Sequence, residues 1–243
     1  MTSIGILVTG APPSSLRARY GDYTDMFARL LGPQFDIVPY DVRVGDYPAG
    51  IEQHDGYLIT GSPAGVHDGE PWIDTLRSFL QSAKGRARLV GICFGHQIMA
   101  EAFGGRVSRS DHGWGIGLHR YQIRDRPPWM EDLASVSIAA SHQDQVVEQP
   151  PATRIVAAST FCPFGILAYQ DQPALSFQCH PEFDAGFAKA LIEGRRDRLP
   201  DPDRALATLD MPDDRVVVAS GIRRFLSSDH AQASDAARAG ASA

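Results

Sequence analysis

One stretch constrains this chain more than any other: Ala87-Arg-Leu-Val-Gly-Ile-Cys-Phe-Gly-His-Gln97. Leu89, Val90 and Ile92 make an apolar run of strand character that stops at Cys93, with glycines at 91 and 95. Ile98, Met99, Ala102 and Phe103 follow at the spacing of a helix's buried face. A strand–turn–helix with Gly-x-Cys-x-Gly at its turn is the cysteine form of a nucleophile elbow, because flanking glycines permit a sharp turn and leave no Cβ beside the sulfur. A helix that begins next to the sulfur favours thiolate through its dipole, and the Phe94 N–H is placed to meet an oxyanion. The competing reading is a small buried cysteine between two packing glycines. Only a matching base elsewhere separates the two.

Around this stretch the pattern is that of alternating strands and helices. Ile4–Val8 is a continuous apolar run suited to a strand buried on both faces. Residues 11–15 read as a loop, Asp22–Leu31 as an amphipathic helix, and Phe35–Tyr40 and Gly56–Thr60 as further strands. Pro71 opens a helix to about Ala83 whose apolar stripe is Ile73, Leu76, Phe79 and Leu80. This alternation predicts an α/β fold with an open, mostly parallel sheet and helices on both faces. After Gly104-Gly105 the pattern changes to short strands at 106–108, 117–123, 135–139, 154–158 and 166–170, which predicts a small antiparallel extension of the same domain.

Gly61-Ser62-Pro63 follows directly on the third strand, at the sheet edge where open α/β folds bind ligands. An N–H at Gly61 or Ser62 could be a second oxyanion donor, though Gly-Ser-Pro is equally ordinary turn chemistry. Ser141-His142-Gln143-Asp144 is dense in hydrogen-bonding groups, and His142 reads as a base, a ligand-positioning group or a turn histidine. Ala174–Cys179 is strand-like and ends at His180-Pro181-Glu182. A histidine there can reach the same edge as Cys93, and a carboxylate two residues on can fix its tautomer and stabilise its imidazolium. Pro181 suits the start of a helix over 183–192. Cys162 and Cys179 lack such a setting and read as structural, and His96 as a local hydrogen-bonding residue. Residues 1–198 are expected to form the main domain, 199–228 a linker with a strand–helix piece packing on it, and 229–243 a frayed tail.

Composition excludes several other functions. A net charge of −6 argues against nucleic-acid or anionic-membrane partners, and no apolar run approaches the length of a membrane span. Three scattered cysteines make no disulfide framework, and no Cys/His ligand spacing points to a metal. No leader pattern precedes the first strand, so a reducing cytoplasm is the expected setting.

Taken together, Gly91–Gln97, Gly61–Pro63, Ser141-His142 and Ser176–Glu182 resemble the class I glutamine amidotransferase family with its Cys-His-Glu triad, over roughly residues 1–195. The resemblance implies a flavodoxin-like fold, with Cys93 as nucleophile, His180 as acid/base and Glu182 as its orienter. Gly61 and Phe94 would supply the oxyanion hole. Ser62, Gln97 and Ser141, His142, Gln143 and Asp144 match positions that bind the glutamyl group. It implies a small γ-glutamyl substrate and no metal or cofactor. No phosphate loop of the Gly-x-x-x-x-Gly-Lys type or Ser-Gly-Gly nucleotide motif is present, so the chain is most similar to stand-alone members, the GMP-synthase-like amidotransferases and plant γ-glutamyl peptidases. Gly113–Gly117 resembles a segment of that subgroup lining the substrate pocket, or is simply a turn entering a strand. Three functions follow: a γ-glutamyl amide hydrolase acting on glutamine, with or without a separate synthase chain to take the ammonia, a γ-glutamyl peptidase, or a non-enzymatic regulatory or stress protein with a reactive cysteine.

Overall fold

Strands buried on both sides sort their residues by alternation. Ile4, Ile6, Leu58, Val90 and Ile92 enter one hydrophobic core, while Leu7, Tyr57, Ile59 and Leu89 enter a second. The computed structural model, which describes residues 1–227, therefore has a central sheet between two helical layers. The tail expected from about residue 229 lies outside the described residues.

The parallel half contains β1 (Thr2–Val8), β2 (Phe35–Asp41), β3 (Gly56–Ile59) and β4 (Arg88–Ile92). β2 is the edge strand, which is where Pro39 is tolerated. Next to β4 lies β11 (Ala174–Phe177), parallel to it with Phe177 opposite Ile92. From β11 the same sheet continues antiparallel through β10 (Ile166–Tyr169), β9 (Thr153–Ala158), β6 (Gly115–Ile123) and β7 (Ser135–His142), giving nine strands. β5 (Arg106–Arg109) and β8 (Asp144–Glu148) pair separately as a small antiparallel ribbon.

One face carries α2 (Tyr23–Leu31), α5 (Ala185–Glu193), α6 (Pro202–Thr208) and α7 (Arg215–Ser227). The other carries α3 (Pro71–Ala83) and α4 (Phe94–Ala102). Among the described residues no helix is long and apolar enough to cross a membrane.

Three local expectations are revised and one strand is added. Residues 14–20, placed partly in a loop, form helix α1 (Ser14–Tyr20), which buries none of its residues and so shows no apolar stripe. Residues 144–148 add a strand, β8, in which Gln145 and Val146 are the buried members. The Val216–Val218 run is helical, because Val218, Ala219, Ile222 and Leu226 share one buried face while Val216 stays 65% exposed. α5 starts at Ala185, capped by Asp184, whose carboxylate accepts from the Phe187 N–H at 2.7 Å, and His180–Phe183 form a turn before it.

Candidate active site

The turn after β4 is tight enough to dictate its residues. Cys93 sits at φ 52° and ψ −101°, a left-handed backbone that costs a non-glycine residue on the order of 1 kcal/mol. Its N–H donates to the Phe177 carbonyl at 2.8 Å, tying the elbow to β11. A Cβ at Gly95 would stand 2.4 Å from the Ile59 carbonyl oxygen, and one at Gly91 would stand 2.5 Å from the Gly95 carbonyl oxygen. Helix and sheet thus approach at distances only glycine allows. Phe94 begins α4, so its N–H has no acceptor within the helix.

His180 follows β11 and reaches the same edge. Its N–H donates to the Ala139 carbonyl at 2.8 Å, and its ring stacks on Phe183 at 4.0 Å with an interplanar angle of 4°. Nδ1 donates to Glu182 Oε1 at 2.7 Å, and both side chains are buried. Burial opposes the imidazolium, but the Glu182 carboxylate and Cys93 outweigh it and raise the pKa of His180 from 6.5 to about 10. Nε2 makes no hydrogen bond of good geometry, although the Cys93 sulfur is close enough to raise its basicity.

Gly61 lies between the two. A Cβ there would be 3.1 Å from His180 Cε1 and 3.7 Å from Cys93 Cβ. Its carbonyl is held by the hydroxyls of Thr9 and Thr60 at 3.0 and 3.1 Å. The Ser62 hydroxyl is engaged within the same loop, donating to the Thr9 carbonyl at 2.7 Å and accepting from the Ala64 N–H at 3.1 Å.

Cys93, His180, Ser62, Gln97 and residues 141–144 line one cleft of about 400 Å³, with Glu182 standing behind His180. Gln97 Nε2 donates to the Asp144 carbonyl at 2.7 Å, and Ser110 N–H donates to the Gln143 carbonyl at 2.8 Å. His142 also donates to the Asp144 carbonyl, at 3.1 Å, and burial drives its pKa down to about 3, so it is a neutral imidazole in the cleft wall. Trp114, from the segment at 113–117, lines the cleft as well. His96 is buried against the Ser176 hydroxyl at 2.8 Å. Burial raises the thiol pKa values of Cys162, to about 12, and of Cys179. A family model described as glutamine amidotransferase class-I matches residues 25–193.

The chain belongs to the class I glutamine amidotransferase family.

Gamma-glutamyl peptidase 2 of Arabidopsis thaliana is 31% identical over 195 residues, 75% of this chain and 77% of that protein. A glutamine-hydrolysing GMP synthase chain of Methanopyrus kandleri is 31% identical over 66% of this chain and 79% of its own length. The crystal structure of a glutamine amidotransferase from Thermotoga maritima superposes with a TM-score of 0.77 at 19% identity, covering 94% of this chain and all of that one.

Sequence reasoning about this family member missed part of the cleft wall. Tyr23 of α2, Arg109 at the end of β5, and Arg195 and Arg198 beyond α5 all face it. Arg195 is half-buried and sends Nη1 to the Ser141 hydroxyl at 3.5 Å, and among the described residues no carboxylate lies within ion-pair distance of it. No spacing in the sequence marks these residues, since only the fold carries them to the cleft. A shallower groove lined by Tyr20, Lys189 and Asp210 holds none of the candidate groups. No group of three or more His, Cys, Asp or Glu residues among the described residues could hold a metal.

Proposed function

We propose that this chain hydrolyses a γ-glutamyl amide through a Cys93 thioester. The observation that carries the reading is the buried His180–Glu182 pair, 2.7 Å apart, beside a cysteine held in a left-handed elbow at the same cleft. The Cys93 thiolate attacks the γ-carbonyl, and the tetrahedral oxyanion forms where the Gly61 and Phe94 N–H groups can donate to it. The C–N bond then breaks as His180 Nε2 gives its proton to the leaving ammonia or amine. His180 next takes a proton from water, whose oxygen attacks the thioester and releases glutamate and the thiolate. Glu182 keeps the proton on Nδ1 and stabilises the imidazolium throughout. Ser62, Gln97 and residues 141–144 are the proposed grip on the glutamyl group.

Class I amidotransferase and γ-glutamyl peptidase relatives support γ-glutamyl amide hydrolysis in general. Free glutamine is the first substrate, with a separate synthase chain as the ammonia acceptor. A γ-glutamyl peptide is the second, favoured by the breadth of the cleft and by Arg195 and Arg198, whose charges suit a carboxylate beyond the scissile amide. Residues 1–198 are the proposed catalytic unit, and Leu199, Ala205, Val218 and Ile222 of the following segment pack into its core. A reducing, cytoplasmic setting suits a working thiol.

The test is glutamate release from L-glutamine and from γ-glutamyl dipeptides by the isolated chain, with Cys93→Ser and His180→Ala beside it. Both substitutions should cut turnover by about 10³-fold or more, as for other nucleophile–base pairs. Near-normal turnover by Cys93→Ser would sink the mechanism, whereas no turnover of either substrate by the wild type would favour a non-enzymatic role. Preference for dipeptides over glutamine would select the second reading.

A further inference from the structure

Gln178 has no part in the scheme above, yet it is fully buried beside the nucleophile. Its Nε2 donates to the Cys93 sulfur at 3.6 Å. Its Oε1 accepts from Gln97 Nε2 at 3.3 Å, and the same Gln97 nitrogen donates to the Asp144 main-chain carbonyl at 2.7 Å. The outer end of this chain sets its polarity. A main-chain carbonyl only accepts, so Gln97 must turn its NH2 towards Asp144, and its second N–H goes to the Gln178 oxygen. Gln178 is then left with only N–H groups to offer the sulfur. Its own main chain is pinned as well, the N–H donating to the Gly165 carbonyl at 2.8 Å. In a buried site, reversing Gln178 would leave a donor facing a donor and reversing Gln97 would leave an acceptor facing two acceptors, either of which costs more than the bonds themselves contribute.

We infer that Gln178 is a further catalytic residue, which donates its side-chain N–H to the Cys93 thiolate and is held in the donor orientation by Gln97. The inference rests on Cys93 being the nucleophile. A neutral donor bonds more strongly to a thiolate than to a thiol, so the contact stabilises the attacking form. It stabilises the same anion again as leaving group, when water breaks the thioester carbon–sulfur bond.

The experiment compares wild type with Gln178→Met, which keeps the length and apolar bulk of the side chain and removes the donor. Iodoacetamide alkylation of Cys93 near neutral pH should slow about tenfold, the expected scale for one hydrogen bond to a charged group, and kcat should fall by a similar factor with KM little changed. The pH profile of alkylation should move to higher pH, which mere loosening of the elbow would not cause. A second measurement needs no substitution at 178: in wild type the Gln178 side-chain NH2 resonances should titrate together with Cys93, and in Cys93→Ala they should not. Alkylation rate and pH profile unchanged in Gln178→Met, or resonances unmoved through the titration, overturn the inference while Cys93-dependent turnover still stands. Full turnover in Cys93→Ser would bring down the functional reading and this inference together.

Discussion

Replacing Glu182 with glutamine separates the charge of the buried pair from its shape. The side chain keeps its length and an oxygen able to accept from His180 Nδ1, a contact of 2.7 Å in the wild type. Only the negative charge goes. Burial alone holds the imidazolium down, and Glu182 is the largest of the influences that lift His180 from 6.5 to about 10. With that charge removed, His180 should titrate well below 10 and lose much of its capacity to protonate a leaving amine. Removing one member of a buried charge pair costs about 3–5 kcal/mol. Carried into the transition state at 1.4 kcal/mol per decade, this predicts a fall in kcat of about 10³-fold, with a smaller change in KM. The assay is steady-state glutamate release, with nitrogen NMR of the His180 ring in both proteins. The linkage has a definite sign. A pKa raised on folding contributes stability that is fully present below about 6.5, the unfolded value, and is lost as pH rises through about 10. Wild-type Tm should therefore drop across that window more steeply than Tm of Glu182→Gln. A kcat within tenfold of wild type, or an unmoved His180 titration, would refute the reasoning.

Gly61→Ala places a methyl 3.1 Å from His180 Cε1 and 3.7 Å from Cys93 Cβ, so kcat should fall while Tm barely moves. Unchanged turnover would show that the gap between the two side chains is not used. Gly95→Ala drives a methyl to 2.4 Å from the Ile59 carbonyl oxygen, a main-chain atom that cannot swing aside. Its urea midpoint should report a loss of about 1–3 kcal/mol, the usual scale for overpacking, and wild-type stability would mean the elbow has slack. Cys179→Ser sets a hydroxyl in a fully buried position at a cost of about 1–3 kcal/mol, while the folded protein should stay active. Complete inactivity of the folded variant would show that the wrong cysteine is assigned a structural role.

What could be read from the residues was whatever depends on local spacing. Gly91-x-Cys-x-Gly95 announced a turn that only glycines can flank, and His180-Pro-Glu182 announced a base with its carboxylate, since two residues suffice to bring the groups to 2.7 Å. Two kinds of feature stayed hidden. Elements without a buried face carry no periodicity, which is why nothing in the sequence marks α1 as a helix. The β-branched Val216–Val218 run suggested a strand until packing on one helical face overrode it. Cleft residues fixed by topology were also hidden, because Tyr23, Arg195 and Arg198 reach the cleft through the fold and not through any motif.

The seam between β4 and β11 also bears on how the protein matures. β11 is reached only after the chain has traced the antiparallel half, yet it inserts beside β4 and joins the two halves of the sheet. Until it does, Cys93 lacks the Phe177 carbonyl that holds its N–H, and His180 is separated from it by a long, costly loop. On the proposed mechanism, a growing or partly folded chain therefore has the nucleophile without its base, and the two meet only when β11 pairs with β4. On that reading, turnover itself reports that the two halves of the sheet have joined.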